Sequence, residues 1–312
     1  MYLGIDLGTT NSAIAGNSKS GLRIFKTIEG QDVLPSAIYI DKRGHRFYGK
    51  RAYDQAVLSP ENTALGFKRL MGTSTPFEFA GCGLSLTSEE CSAEILKQLL
   101  AQAYLESGEQ SVTGAIITIP AAFNQMQSEA TLRAAQAAGL ERVGLLQEPV
   151  AAAMAAMMKN EKKSGQFLVY DLGGGTFDLA LVQALNGEIS ILDHEGINML
   201  GGRDFDKAIV NAIVRPWLLA NFDVPADLQR HPSYQRVIRI AQLAVEKSKI
   251  TTSTKDSEII HAPDDEIRVQ DESGADIYLE VEFTRRDLEA LVVERIDETI
   301  ELARKVLKKN GY

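Results

Sequence analysis

The chain has 312 residues, which at roughly 150 residues per domain suggests about two domains or one two-lobed unit, and its 45% hydrophobic and 24% charged content supports a core and excludes wholesale disorder. A net charge of −9, from 42 acidic against 33 basic residues, leaves no basic footprint for a phosphate backbone, so nucleic-acid binding is not expected. Two cysteines, Cys82 and Cys91, cannot build a disulfide framework or a four-thiolate zinc site, and His45, His194, His231 and His261 are too scattered for a histidine metal site, which leaves chemistry to carboxylates, lysine or backbone amides.

The first segment reads as a meander of hairpins: strands at Tyr2 to Asp6, Ser12 to Ala15, Leu22 to Phe25 and Ala37 to Ile40, separated by glycine turns. Asp6 interrupts any apolar signal core, so no export signal is read there. From Thr87 the spacing turns helical, with Ile95, Leu96, Leu99, Leu100, Ala103 and Tyr104 on one face, a Thr87/Glu90 capping box and Gly108 at the end. A buried strand, Ala115 to Ile119, leads to a second helix capped by Asn124 and closed by Gly139, and this alternation implies an α/β layer. A third helix opens at Glu148-Pro149, where proline costs no hydrogen bond; its apolar run from Val150 to Met158 is far shorter than the ~20 residues that cross a bilayer. No membrane span is read, and a soluble, cytoplasmic, monomeric chain is expected.

The polar stretch Lys159 to Gln166 reads as a linker. A second strand-turn-strand follows, Phe167 to Asp171 and Thr176 to Val182, then helices over roughly Phe205 to Asn221 and Tyr234 to Ile250. Ile259 to Glu282 is acidic and strand-like. The last helix, Thr284 to Asn310, turns Leu288, Leu291, Val292, Ile296 and Ile300 inward, carries a Glu301–Lys305 pair outside, and sets Lys308 and Lys309 at its negative end before Gly311.

One motif occurs twice. Asp6-Leu7-Gly8-Thr9-Thr10 returns as Asp171-Leu172-Gly173-Gly174-Gly175-Thr176, 165 positions later (171 − 6), each copy ending one strand and beginning the next. Glycines there remove side chains and let consecutive N–H groups point into one concavity, a nest for an anion. The aspartate beside each nest would repel a bare phosphate but suits a magnesium-bound one. A single copy reads better as an ordinary hairpin turn; the pair reverses that and points to a Mg-nucleotide between two lobes. Neither a Walker loop nor a G-x-G-x-x-G dinucleotide turn is present.

These residues resemble the heat-shock protein 70 chaperones, in the spelling of the bacterial DnaK-type members. Gly4 to Ser12 and Asp171 to Asp178 look like the family's two phosphate motifs. Phe67-Lys68-Arg69-Leu70 resembles its lysine motif, Ile119 to Asn124 its hinge proline segment, and Gln147 to Ala153 its glutamate-proline helix start. Leu200 to Asp206 and Glu246 to Ile250 complete the set. The resemblance implies the actin-like, ribonuclease-H-like α/β fold with a nucleotide cleft between lobes: 1–165 as the first, with a shortened upper part at about 41–90, and 166–312 as the second, with an upper part at about 206–283 and an incomplete lower part.

It also implies roles. Lys68 would stabilise the attacking water and the terminal phosphate, Glu148 and Asp171 would position water and hydrated magnesium, and Thr176 would act beside them. Gly8, Thr9, Thr10, Asn11, Gly173, Gly174, Gly175, Gly201 and Gly202 would hold phosphates; Glu246, Lys249 and Ser253 fall where the family contacts adenosine. Asp6 and Asp178 would complete the ion shell, which in the family includes potassium. Taken alone, Lys68 reads as a solvated surface lysine.

ATP or ADP and Mg2+ are the implied ligands, slow ATP hydrolysis the implied activity, and a J-domain cochaperone and a nucleotide exchange factor the implied partners. Ser128, Gly144 and Gln147 stand where the family has an arginine relay, an arginine and an asparagine, so the residues that would couple to cochaperones differ here. Gly72 to Thr87 is shorter than in typical members, and Asn198 replaces a threonine that some members autophosphorylate. The family's Gly-Gly-x-x-Arg turn, interdomain linker and peptide-binding domain have no counterpart, so peptide binding is not expected of this chain. A filament-forming or cell-shape protein of the same fold, a sugar or acetate kinase, and a nucleotide-independent scaffold are the competing readings.

Overall fold

The computed structural model describes residues 1–18, 21–109, 111–159 and 164–312; residues 160–163, inside the expected linker, lie outside them. The first half is built on a mixed sheet in the order Val143–Gln147, Gly114–Ile119, Tyr2–Leu7, Asn11–Ser18, Gly21–Ile24. Tyr2–Leu7 alternates strictly, so Leu3, Ile5 and Leu7 enter the core while the other face stays open. It runs parallel to Gly114–Ile119 and antiparallel to Asn11–Ser18, which puts Asp6 beside Thr118 at the strand ends. The helices Ser88–Ser107 and Gln125–Ala137 close the core with Ile95, Leu96, Leu99, Ala130 and Ala134. Both start in capping boxes, Thr87/Glu90 and Asn124/Gln127, and Gly108 ends the first with φ 71°. Ala37–Ile40 is not the meander's fourth strand. It lies between Arg46–Tyr48 and Thr63–Leu65 in a sheet of its own, because Leu34–Pro35 takes the place beside Asn11–Ser18.

The second half repeats the meander. Gly165–Leu172, Thr176–Leu185 and Glu188–Asn198 form an antiparallel sheet, its first turn being the second glycine motif. Above it, the helix Gln235–Thr252 packs on the hairpin Ser257–Ala262/Leu279–Thr284 around Val237, Ala241, Ile260, Val281 and Phe283. Between those strands the expected continuous strand-like segment is broken by a helical turn, Asp264–Ile267. The helix expected over Phe205–Asn221 is two α-segments, Gly202–Ile209 and Arg215–Asn221, joined by a π-turn at Val210–Val214. Pro216, in the first turn after the join, has no N–H to continue the regular ladder.

The last helix, Arg285–Lys309, starts in a Thr284/Asp287 capping box and lays Leu302, Val306 and Leu307 on Phe177, Leu179 and Leu181. Two expectations for it fail. Ile300 is exposed, because the helix turns Thr299, fully buried, toward Tyr170 instead. Lys305 does not pair with Glu301; it reaches Glu195 at 3.1 Å, and Glu301 binds Arg304.

Candidate functional site

The two glycine turns face each other across a cavity of about 470 Å³, within the usual range for small-ligand sites. Asp6, Gly8, Thr9, Thr10 and Asn11 line it from the first sheet, Asp171, Gly173, Gly174 and Thr176 from the second, and Lys68 and Glu148 from the cleft walls. Each turn holds a glycine whose place a side chain would crowd, while Gly173 has room for one. A Cβ on Gly8 would lie 2.0 Å from the Asn11 carbonyl oxygen, and one on Gly174 would lie 2.1 Å from Thr10 Oγ1. The first turn is braced by two hydroxyls: the Gly8 N–H donates to Ser12 Oγ at 3.2 Å, and Ser36 Oγ donates to the Gly8 carbonyl at 2.8 Å. In the second, the Gly173 N–H donates to Thr176 O at 3.0 Å.

Lys68 is not a surface lysine. It sits on the 3-10 turn Phe67–Leu70, its side chain 7% exposed, its amine 2.8 Å from Glu148 Oε1 and over the Phe123 ring. Glu148 opens the helix Glu148–Lys159, so its carboxylate also lies at the positive end of that helix. Burial raises its pKa even against Lys68. Asp171 is pushed up by burial and by the neighbouring Asp6, and Asp178 by burial. One ammonium thus faces several carboxylates, a balance that favours an added cation. Among the described residues no three carboxylate, histidine or cysteine side chains are grouped to hold a metal ion directly.

Of the remaining predicted residues, some support the walls of this cavity and others lie away from it. Asp178 is buried two residues along the same strand from Thr176, on the same face, and Thr176 donates to it. Gly201 and Gly202 lie behind the second turn: the Gly202 N–H donates to Gly173 O and the Arg203 N–H to Gly174 O, each at 3.0 Å. Gly175 packs under Arg69. The adenosine trio is not brought to the phosphate cavity. Lys249 binds Asp206 at 2.7 Å and the Gly202 carbonyl at 2.9 Å, Glu246 accepts from Tyr53 of the other half at 2.6 Å, and Ser253 is an exposed turn residue.

The roles of two residues escaped the sequence reading. Thr118 lines the cavity and donates to Asp6 at 3.1 Å; the parallel register of its strand with Tyr2–Leu7 is the signal that would find it. Arg69, next to Lys68, crosses to the second half, where it binds Asp204 at 2.5 Å and the Gly175 carbonyl at 2.8 Å.

A family model described as Hsp70 protein matches residues 2–81 and 75–312. Chaperone protein DnaK of Thermotoga petrophila is 37% identical over 300 residues, covering 95% of this chain and 48% of the relative. The DnaK proteins of Thermotoga maritima and Thermotoga neapolitana match over the same shares at 37% and 36% identity. The chain therefore spans about half the length of these curated relatives.

Proposed function

The chain belongs to the Hsp70 protein family, which has the actin-like ATPase fold, and we propose that it is the ATP-binding and slowly ATP-hydrolysing part of a molecular chaperone. The observation that carries this reading is the meeting of two Asp-Leu-Gly turns, from two separate sheets, over one cavity that also holds the buried Lys68–Glu148 pair. Amides and hydroxyls of Thr9, Thr10 and Asn11 and the amides of Gly174 to Thr176 hold the phosphates, around the turn that Gly173 closes. Lys68 holds positive charge against the terminal phosphoryl group, and Glu148 orients the water. Water forms a bond to the terminal phosphorus as the bond to the bridging oxygen breaks, giving ADP, inorganic phosphate and a proton.

Asp6 and Asp171 would hold magnesium through water, with Asp178 near a second, potassium-type ion; bound magnesium offsets phosphate charge. Adenosine falls to Glu246, Lys249 and Ser253 once Glu246 leaves Tyr53, so nucleotide entry and cleft opening are one event. We read 1–165 and 166–312 as the two lobes, in a cytoplasmic, monomeric protein whose J-domain and exchange-factor partners meet altered surfaces at Ser128, Gly144 and Gln147. Calorimetric titration with Mg-ADP, repeated with EDTA, tests the proposal. Metal-dependent binding supports it, and no binding at millimolar ADP by a folded chain refutes it.

A further inference from the structure

Three cavities lie in series along the cleft. The nucleotide cavity shares Thr9, Lys68 and Thr176 with a smaller chamber of about 190 Å³. That chamber shares Arg69 and Met199 with a third cavity, of about 520 Å³, between the two halves. The third opens to solvent at Arg239 and Lys207, both exposed. At about 30 Å³ per water, the middle chamber holds roughly six waters, room for a tetrahedral oxyanion but not for a nucleotide.

Charge is graded along this series. Lys68 stands at the inner junction, Arg69 at the outer one, and Arg203 and Arg239 beyond it. Most carboxylates on the route are already engaged: Asp204 by Arg69, Asp206 by Lys249 and Glu246 by the Tyr53 hydroxyl, which leaves Glu78 near the mouth. Arg69 also keeps a buried Nε with no hydrogen-bond partner, a donor short of an acceptor in the wall of the chamber. Met199 holds φ 64°, a strained setting for a non-glycine residue, and is 62% exposed where it lines both the chamber and the outer cavity.

We infer that inorganic phosphate released beside Lys68 leaves through the middle chamber, past Arg69 and Met199, into the cavity between the halves, by a route separate from that of ADP. This rests on the hydrolytic reading above. The terminal phosphoryl group is the part of the nucleotide that Lys68 faces, so the freed anion arises at the inner junction while the two glycine turns still hold the diphosphate. It then meets a cation at each step outward.

The test narrows the passage with Met199→Trp and widens it with Met199→Gly. In a single turnover, ADP formation is followed by acid quench and phosphate by a fluorescent phosphate-binding sensor. Met199→Trp is expected to keep ADP formation and ADP dissociation within about twofold of the parent while phosphate appearance lags at least tenfold; Met199→Gly shows no lag. Simultaneous appearance of both products in folded Met199→Trp overturns the route. A second arm needs no hydrolysis: 31P line broadening of inorganic phosphate added to the chain. Exchange is expected to slow at least tenfold in Met199→Trp and binding to weaken in Arg69→Gln; unchanged exchange or no binding to the parent overturns the route. A parent chain that forms no ADP refutes the hydrolytic reading instead, and the phosphate-exchange arm still decides the path.

Discussion

Gly201→Ala gives the sharpest test of how the second turn is held. A Cβ at this position would lie 2.6 Å from Gly173 O, 2.6 Å from Gly175 N and 2.8 Å from Gly174 C, all backbone atoms. Since ordinary contact begins at 3.4 Å, the turn or the helix start must retreat by about 0.8 Å (3.4 − 2.6). No rotamer change provides that room. The same retreat stretches the two 3.0 Å hydrogen bonds from Gly202 and Arg203 to Gly173 and Gly174 beyond useful length. Two lost bonds at about 0.5–1.5 kcal/mol each, with overpacking strain of about 1–3 kcal/mol, put the cost at about 2–6 kcal/mol. The backbone at Gly201 is extended, φ 177°, so the effect is steric and not conformational. Urea unfolding should show a midpoint lower by about 1 M, and Mg-ADP affinity should fall at least tenfold because the amides of the nest move. Gly4→Ala is the control: a Cβ there meets nothing within 4 Å. If Gly201→Ala matches Gly4→Ala in both assays, the packing argument and the role of the turn are wrong.

Lys68→Ala should abolish ATP hydrolysis while Mg-ADP affinity stays within a few-fold, and should cost about 3 kcal/mol because Glu148 is left buried without its partner; adding Glu148→Gln should restore part of that stability in thermal melts. Tyr53→Phe removes one bond between the halves and should lower stability by about 1 kcal/mol while speeding release of a fluorescent ADP analogue in stopped flow. Asp206 is pushed up to about 6, chiefly by burial, from an ordinary value of 3.8, so its ionised form is penalised in the fold. Its contribution to stability is therefore greatest below about pH 4 and is lost as pH rises through 6, a span on the order of 2–3 kcal/mol. Asp206→Asn should flatten the stability profile between pH 4 and 6, measured by urea midpoints; an unchanged slope would contradict the assignment.

Local chemistry was legible in the sequence. Capping boxes at Thr87 and Asn124, the Gly108 stop and both glycine turns depend on neighbours a few residues away, and each stands where its spacing puts it. Long reach was not. The engagement of Glu246 by Tyr53, and of Asp204 by Arg69, joins residues 193 and 135 positions apart, and neither helical nor strand periodicity encodes such a partner. Lys68 was ambiguous for the same reason: nothing near it in the chain says that Glu148 and the Phe123 ring will cover it. Ile300 fits the apolar stripe of the last helix, but the sheet beneath takes Thr299 and Val306 instead, so periodicity alone places it one residue off the contact line.

Among the described residues, the first glycine turn hangs from a core that includes Leu3, Ile5 and Ile14, and the second from a separate one that includes Phe177, Leu179 and Leu181. Between them stand the helix Glu148–Lys159, whose Ala153 packs on Ala180 and Val182 of the second sheet, the near-contact of Thr10 with Gly174, and a few polar bonds. Two cores joined this way melt as two cooperative units. A ligand gripping both turns at 100 times its Kd adds about 2.7 kcal/mol to the joined state alone. Scanning calorimetry should then show two overlapping transitions merge into one as Mg-ADP is added, so the nucleotide acts as the missing piece of a common core.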